Sequence, residues 1–310
     1  MSGIGLIFNP RAGQNRRDPG VALRLSRKLG DNGVVAIPRT VDELFRTAED
    51  FLRLRIEVLG IAGGDGTNHV TLTGFHRIWR NRPLPTIALL RGGTMNTVAS
   101  SLGLPRGHPE RLLDRLLRRY TQRSLPAIAQ PTMNVEGQLG FLFGTGLVPA
   151  FLRAYYETGE PSAWTAVKTL ARFATGAVVG NSISRQPIEA EVTTNAGDHW
   201  PMRAYSTIAA GTIRDIGLHF RPFARAGEVP ETFHLLGIHA RPNEIVKDLP
   251  RIFRAEGMRE GKANEALARE ATLFVRTPTL PYMIDGDLKE HPGSELTIRL
   301  GPYVRIATMS

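Results

Sequence analysis

Three short stretches of the chain hold residue types that could do chemistry. The first is Gly63-Gly64-Asp65-Gly66-Thr67, three glycines around one carboxylate, placed after the apolar run Val58–Ala62 and before a helical segment expected from about Asn68. Glycine lets backbone N–H groups approach a ligand closely and adopt positive φ. A helix start adds unpaired N–H donors and a positive dipole end, so the combination favours an anionic group. A carboxylate there would repel a bare phosphate, but it suits one bridged by a divalent cation. A plain strand-to-helix turn, with Asp65 or Thr67 as N-cap, is the alternative. The second stretch, Arg91-Gly92-Gly93-Thr94-Met95-Asn96, repeats the device behind the apolar run Pro85–Leu90. The first loop lacks the Lys-Ser/Thr ending of a Walker A loop and the glycine spacing of the dinucleotide fingerprint. The third is Ile284-Asp285-Gly286-Asp287. Asp-Gly between apolar runs signals a tight hairpin, and two carboxylates flanking a glycine also suit a metal ligand or a general base beside one.

The elements that must position these stretches alternate between strand and helix in the first part of the chain. Gly3–Phe8 reads as a strand running into Asn9-Pro10-Arg11-Ala12-Gly13, and Pro19–Leu29 as a helix stopped by Gly30. Val34–Ile37 is a second strand. Thr40 is a candidate N-cap for a helix from Val41 to about Arg55, whose apolar stripe is Leu44, Phe45, Ala48, Phe51 and Leu52. Alternation of this kind predicts a parallel sheet covered by helices. Both glycine loops then fall on its C-terminal edge, where ligands of open α/β sheets bind. Pro109–Tyr120 is an amphipathic helix with Leu112, Leu113, Leu116 and Leu117 inward, and its arginines, Arg111, Arg115, Arg118 and Arg119, form a solvated face.

Beyond about Leu125 the texture becomes antiparallel β. Ile188–Val192 alternates, a turn follows at Asn195–Asp198, and strands are expected through Ile208 and over Phe233–Ile238, Thr272–Arg276, Leu296–Leu300 and Tyr303–Ala307. Helices are expected at Ser162–Phe173 and Asn243–Glu256, and a domain boundary near Ser124.

At 310 residues the chain is long enough for two domains with their own cores. A net charge of +10 favours an anionic partner (nucleotide, nucleic acid or anionic membrane) without choosing among them. There is no cysteine, which excludes disulfides, thiolate catalysis and zinc–thiolate sites. No secretory leader or bilayer-spanning run is evident, so a soluble cytoplasmic protein is expected.

With these motifs in order, the sequence resembles the diacylglycerol kinase catalytic-domain family, lipid kinases that include the soluble bacterial enzymes and the sphingosine kinases; the NAD kinases are more distantly similar. The matching pieces are Asn9–Gly13, Gly63–Thr67, Gly93-Thr94-Met95-Asn96 with Ala99, and Asp285-Gly286-Asp287. The resemblance implies an α/β N-terminal domain with a Rossmann-like parallel sheet over residues 1–124, a β-rich sandwich over 125–299, and a tail, about 300–310, that returns to the first domain. It implies an ATP- and Mg²⁺-dependent kinase acting on a lipid hydroxyl, of diacylglycerol or a related lipid, at a membrane surface. The alternatives are a kinase of a soluble acceptor, as in the NAD kinases, and a nucleotide- or lipid-binding protein without activity. Such a protein would be cytoplasmic and peripheral at the inner membrane face, with no nucleic acid partner. Carried over, Asn9, Pro10, Gly13, Thr40, Gly63, Gly64, Asp65, Gly66, Thr67, Gly93, Thr94 and Asn96 contact nucleotide. Asp65 and Asp287 serve the metal and the chemistry, and Asp285 is the base. Departures from the family pattern are Arg91-Gly92 in the second loop, expected either to loosen it or to add a positive group near phosphate, and His69-Val70 in place of Asn-Glu. Gly144-Thr145-Gly146-Leu147 and Arg225–Val229 stand where acidic segments occur in the family, and the second of these holds a structural Mg²⁺ in some bacterial members.

Overall fold

The computed structural model describes residues 3–80, 82–157, 168–169, 187–217 and 220–309. The helix expected at Ser162–Phe173 falls, except for Lys168 and Thr169, outside the described residues. The chain divides into two compact units, Met1–Gln130 with Pro302–Ser310, and Pro131–Gly301.

In the first unit, strands β1 (Ile4–Phe8), β2 (Gly33–Ala36), β3 (Val58–Ala62) and β4 (Thr86–Leu89) are parallel in the order β2-β1-β3-β4. Ile306, near the end of the long strand β16 (Glu295–Ala307), pairs with Ile87 of β4. The register places Phe8 beside Ala62 and Ile61 beside Leu89, so the three central strands end at a common edge. Every residue of β1 and β3 is buried, as parallel strands covered on both faces require. On one face Ile4, Leu6 and Phe8 join the apolar stripes of α1 (Val21–Leu29) and α5 (Pro109–Thr121). On the other, Gly5 faces Phe51 of α2 (Val41–Leu54), and the Phe51 ring meets Phe75 of α3 (Asp65–Trp79) edge-on at 6.0 Å.

The second unit is an antiparallel sandwich. One layer holds β7 (Leu142–Thr145), β10 (Thr207–Gly211), β11 (Phe233–Ile238), β12 (Ala263–Ala268), β14 (Thr279–Ile284) and β15 (Asp287–Pro292), in the order β12-β11-β10-β7-β14-β15. The other joins the first half of β16 to β13 (Glu270–Val275), β8 (Ile188–Thr194) and β9 (His199–Tyr205). Their inner faces share one core, with Phe143, Leu235 and Tyr282 from the first layer against Val192, Leu273 and Ile298 from the second. β5 (Ala127–Val135) and β6 (Gln138–Gly140) pair as a hairpin, and α6 (Leu147–Tyr156) follows β7.

The structure departs from the sequence expectations in places with identifiable causes. Helix α3 starts at Asp65 rather than Asn68 and is capped by neither Asp65 nor Thr67; Gly64 is its N-cap. The terminal region is one strand, β16, rather than two. Gly301 serves close packing there: a Cβ on it would lie 2.4 Å from Thr132 Oγ1. The expected helix at Asn243–Glu256 is α7, Pro242–Phe253. Strands β5–β7, β12 and helix α6 are additional to those expected.

Candidate functional site

Three loops leave the common edge of the parallel sheet and interlock. Asn9, directly after β1, donates its backbone N–H to Ala62 O (3.1 Å) and its Nδ2 to Thr67 Oγ1 (2.9 Å), while its Oδ1 accepts from Arg11 N (2.9 Å). The second glycine loop lies on the first: Gly93 N donates to Gly63 O at 3.0 Å. A Cβ on Gly93 would sit 2.3 Å from Gly64 Cα, and one on Gly13 would sit 2.2 Å from Thr94 Oγ1. Glycine is required at these contacts because backbone meets backbone, or a side chain, with no room for a methyl group. Asn96, in the left-handed region at φ 50°, braces its own loop: its Oδ1 accepts from Gly93 N (3.1 Å) and its Nδ2 donates to Gly93 O (2.7 Å). Thr94 is exposed at the tip, and Pro10 is exposed next to Asn9.

Asp65 occupies the first position of α3, yet its carboxylate serves another helix. Its Oδ2 accepts from Thr97 N (2.8 Å) and its Oδ1 from Val98 N (3.1 Å), at the start of α4 (Thr97–Ser101). Each oxygen keeps further acceptor capacity. Burial pushes the Asp65 carboxyl above its ordinary range, against the lowering effect of those two N–H groups, of the Thr97 hydroxyl and of the nearby Arg91 charge. Because the acid points to α4, it does not cap α3, whose first helical bond is Asn68 N to Gly64 O at 3.0 Å. The N–H groups of Asp65, Gly66 and Thr67 precede that bond and have no helical acceptor.

Two further residues hold this surface in place: Asn15, which the sequence did not single out, and Arg91, whose anchoring role it did not show. Asn15, almost fully buried, donates Nδ2 to both Asn9 O and Ala62 O at 2.8 Å, tying the ends of β1 and β3 together. It lies in a polar stretch, Gln14–Arg17, with no periodic pattern to single it out. Arg91, at φ 48° and buried, sends its guanidinium to Ser100 Oγ (2.9 Å) and Leu104 O (2.7 Å), so it anchors the segment around α4. Thr40, at the far end of the β2 exit, caps α2 by accepting from Glu43 N at 3.1 Å.

In the second unit, Asp285 and Gly286 form a two-residue hairpin turn at φ 47° and 90°, with Ile284 opposite Asp287 as the last pair of β14 and β15. Both turn residues in the left-handed region is the arrangement an Asp-Gly hairpin favours. The Asp285 side chain is buried and folds onto the start of β7. Its Oδ1 accepts from Leu142 N (2.9 Å) and Phe141 N (3.0 Å), and its Oδ2 lies 3.1 Å from Phe141 N. Gly140 leaves room for it, since a Cβ there would fall 2.5 Å from the Ile284 side chain and 3.1 Å from Asp285 Oδ2. Asp287 is half-buried at the first position of β15. Thr145, in the segment lacking the family's acid, exchanges hydrogen bonds with the Ile208 backbone. Arg225 and Glu228 pair with each other at 2.9 Å. Among the described residues, no three His, Cys, Asp or Glu side chains gather as a ready-made metal site.

The structure thus brings Asn9, Gly13, Gly63, Gly64, Asp65, Thr67, Gly93, Thr94 and Asn96 into one surface of the first unit, with Pro10 and Gly66 in the same loops. It joins Asp285 and Asp287 across one hairpin in the second.

Comparison with known proteins gives a family-model match to the first part of the chain and a fold match to the whole. Residues 3–125 match the model of the diacylglycerol kinase catalytic domain. Crystal structures from Bacillus anthracis str. Sterne align over 99% of this chain and 97% of their own. One, described as a diacylglycerol kinase, has a TM-score of 0.67 at 14% identity. Another, provisionally named a diacylglycerol kinase, has 0.72 at 18%. A yeast NADH kinase solved with NADH aligns over 99% of this chain and 83% of its own, with a TM-score of 0.51 at 9% identity. No curated protein is similar enough in sequence to match. The family whose model matches residues 3–125 is the one that the motifs resemble, and the whole chain shares the fold of these solved structures.

Proposed function

We propose that the protein is an ATP- and Mg²⁺-dependent lipid kinase that transfers the γ-phosphoryl group to a hydroxyl of diacylglycerol or a related lipid. The observation that carries this reading is the turn of the Asp65 carboxylate onto α4, which leaves the first N–H groups of α3 without a competing acid beside the interlocked glycine loops. Backbone donors at a long helix start suit phosphate oxygens. Phosphoryl transfer rests on positioning and charge neutralisation, so it does not need a Walker lysine. Gly64, Gly93 and Gly13 meet their neighbours where a Cβ would intrude, which suits a loop set that a nucleotide approaches by its backbone. Asp65, which retains acceptor capacity, and Asp287 are the carboxylates that would ligate Mg²⁺, and the ion would neutralise phosphate charge. Asp285 would take the hydroxyl proton as the new oxygen–phosphorus bond forms and ADP leaves; its two backbone donors hold the carboxylate oriented.

No helix of the described residues is long and apolar enough to cross a membrane. In this reading the enzyme is cytoplasmic and peripheral at the inner membrane face, where its basic charge favours anionic lipid. Nucleic acid is not a partner in this reading. The test is transfer of labelled γ-phosphate from Mg-ATP into a membrane lipid extract and, separately, into NAD, with D65A alongside. A labelled lipid made only by the unmutated protein is expected. Labelled NADP without labelled lipid would favour a soluble acceptor, and undiminished lipid labelling by D65A would sink the assignment.

A further inference from the structure

We infer that Arg91 is a positioning residue for the Asp65 carboxylate: it holds α4 from the C-terminal side, and through α4 it sets which way the free lone pairs of Asp65 point. The inference rests on the proposed role of Asp65 as a ligand to Mg²⁺. Helix α4 has five residues, too few to hold themselves as a helix in water. Its N-cap, Asn96, makes no side-chain cap and turns its amide back to Gly93. What fixes α4 comes from outside, at both ends. At its start Asp65 accepts from Thr97 N and Val98 N. At its end Arg91 donates Nη1 to Ser100 Oγ at 2.9 Å and Nη2 to Leu104 O at 2.7 Å, and Leu104 N donates to Ala99 O at 2.9 Å. A carboxylate at the N-terminus and a guanidinium at the C-terminus also suit the helix dipole.

Arg91 is buried, unlike an arginine that serves solubility: it is 7% exposed, and its Nε has no hydrogen-bond partner. Its backbone sits at φ 48°, uncommon for a residue with a Cβ. A buried guanidinium is unfavourable unless its donors are met, and an apolar side chain could fill the same space without that penalty. The two acceptors it does meet both lie in the segment 100–104, just after the amides that Asp65 holds. One side chain therefore ties the start of the second glycine loop to the far end of α4. Asp65 and Arg91 then act in series. If the guanidinium lets go, Thr97 and Val98 are free to shift, and the carboxylate loses the two donors that orient it.

The test is made on the full chain, with circular dichroism confirming that each variant is folded. R91M keeps the aliphatic stem and removes every donor. Without nucleotide, amide hydrogen exchange at Thr97 and Val98 should quicken at least about tenfold in R91M, while Leu59 and Ile61 of β3 stay as protected as before. In calorimetric titration R91M should bind Mg-ATP about tenfold more weakly, and ATP in EDTA within about threefold of the unmutated protein. Adding R91M to D65N should weaken Mg-ATP binding by no more than about threefold further, because Arg91 acts through Asp65. Unchanged exchange at Thr97 and Val98 would overturn the inference whatever the nucleotide does. So would equal weakening of ATP with and without the metal, the mark of a collapsed loop, or losses in D65N and R91M that add. A D65N variant that binds Mg-ATP normally would instead overturn the role of Asp65 as a metal ligand, and the inference with it.

Discussion

Asp65 and Asp285 stand in different compact units, yet the chain treats them alike: each carboxylate is met by two consecutive backbone N–H groups. The difference lies in what is tied down. Asp65 reaches from one loop to a helix start that follows another, so its hydrogen bonds hold two glycine loops together. Asp285 closes only its own hairpin against the start of β7, and it is fully buried where Asp65 is partly buried. In the first unit the proposed nucleotide surface is mainly backbone, made available by glycine. In the second it is a side chain held in orientation by backbone. Substitutions at the two acids should therefore fail differently.

The largest effect is expected at Asp285. D285A removes the proposed base and leaves two buried N–H donors unpaired, so phosphoryl transfer should fall by about 10²–10⁴ and stability by ~2–4 kcal/mol. D285N retains a carbonyl acceptor for both donors and should lose transfer while keeping most of the stability; near-normal transfer in D285N would remove Asp285 from the chemistry.

Next come the glycines, where one pair of substitutions separates rigid from yielding contacts. G93A drives a methyl group into the Gly64 backbone, 2.3 Å away, which cannot swing aside. It should weaken ATP binding about tenfold or more. G13A clashes with the Thr94 hydroxyl, which can rotate, while the Thr94 Cβ and backbone N lie 3.4 Å away, and it should cost less. Adding T94A should recover most of the G13A loss; equal defects in G13A and G93A, measured by calorimetric titration, would contradict this packing.

A smaller effect is expected at Thr40. T40A removes the N-cap of α2 and should cost about 1 kcal/mol in urea denaturation. A much larger loss of activity than of stability would sharpen its assignment to the nucleotide.

The smallest effect is a slope with pH. Burial raises the Asp65 carboxyl above 3.8, so in the window between that value and its raised one the folded chain holds a proton that the unfolded chain has released. Stability contributed by this group is highest below the window and is lost as pH rises through it. The denaturation midpoint of the unmutated protein, relative to D65N, should therefore increase as pH is lowered across the window; a flat difference would contradict the shift.

Much of this architecture was legible in the residues. The period-two and helical patterns up to Tyr120, the Thr40 cap and the Asp-Gly turn follow from local chemistry, and the structure places them within a few residues of expectation. What could not be read is what depends on distant contacts. That Asp65 serves α4 rather than α3 depends on two strands lying side by side, and Asn15 matters only because β1 and β3 end together. The arginine at 91, expected to add charge to the loop, is spent on Ser100 and Leu104, which no local pattern signals. Likewise Gly301-Pro302 reads as a strand break, but the glycine answers to Thr132 on a neighbouring strand.

The central claim, that the glycine loops bind the nucleotide while Asp285 acts only on transfer, is tested most directly by calorimetric titration of Mg-ATP into G93A and D285N beside the unmutated protein. The account predicts that D285N binds within about threefold of the unmutated protein, whereas G93A binds at least about tenfold more weakly. Normal binding by G93A together with lost binding by D285N would contradict it.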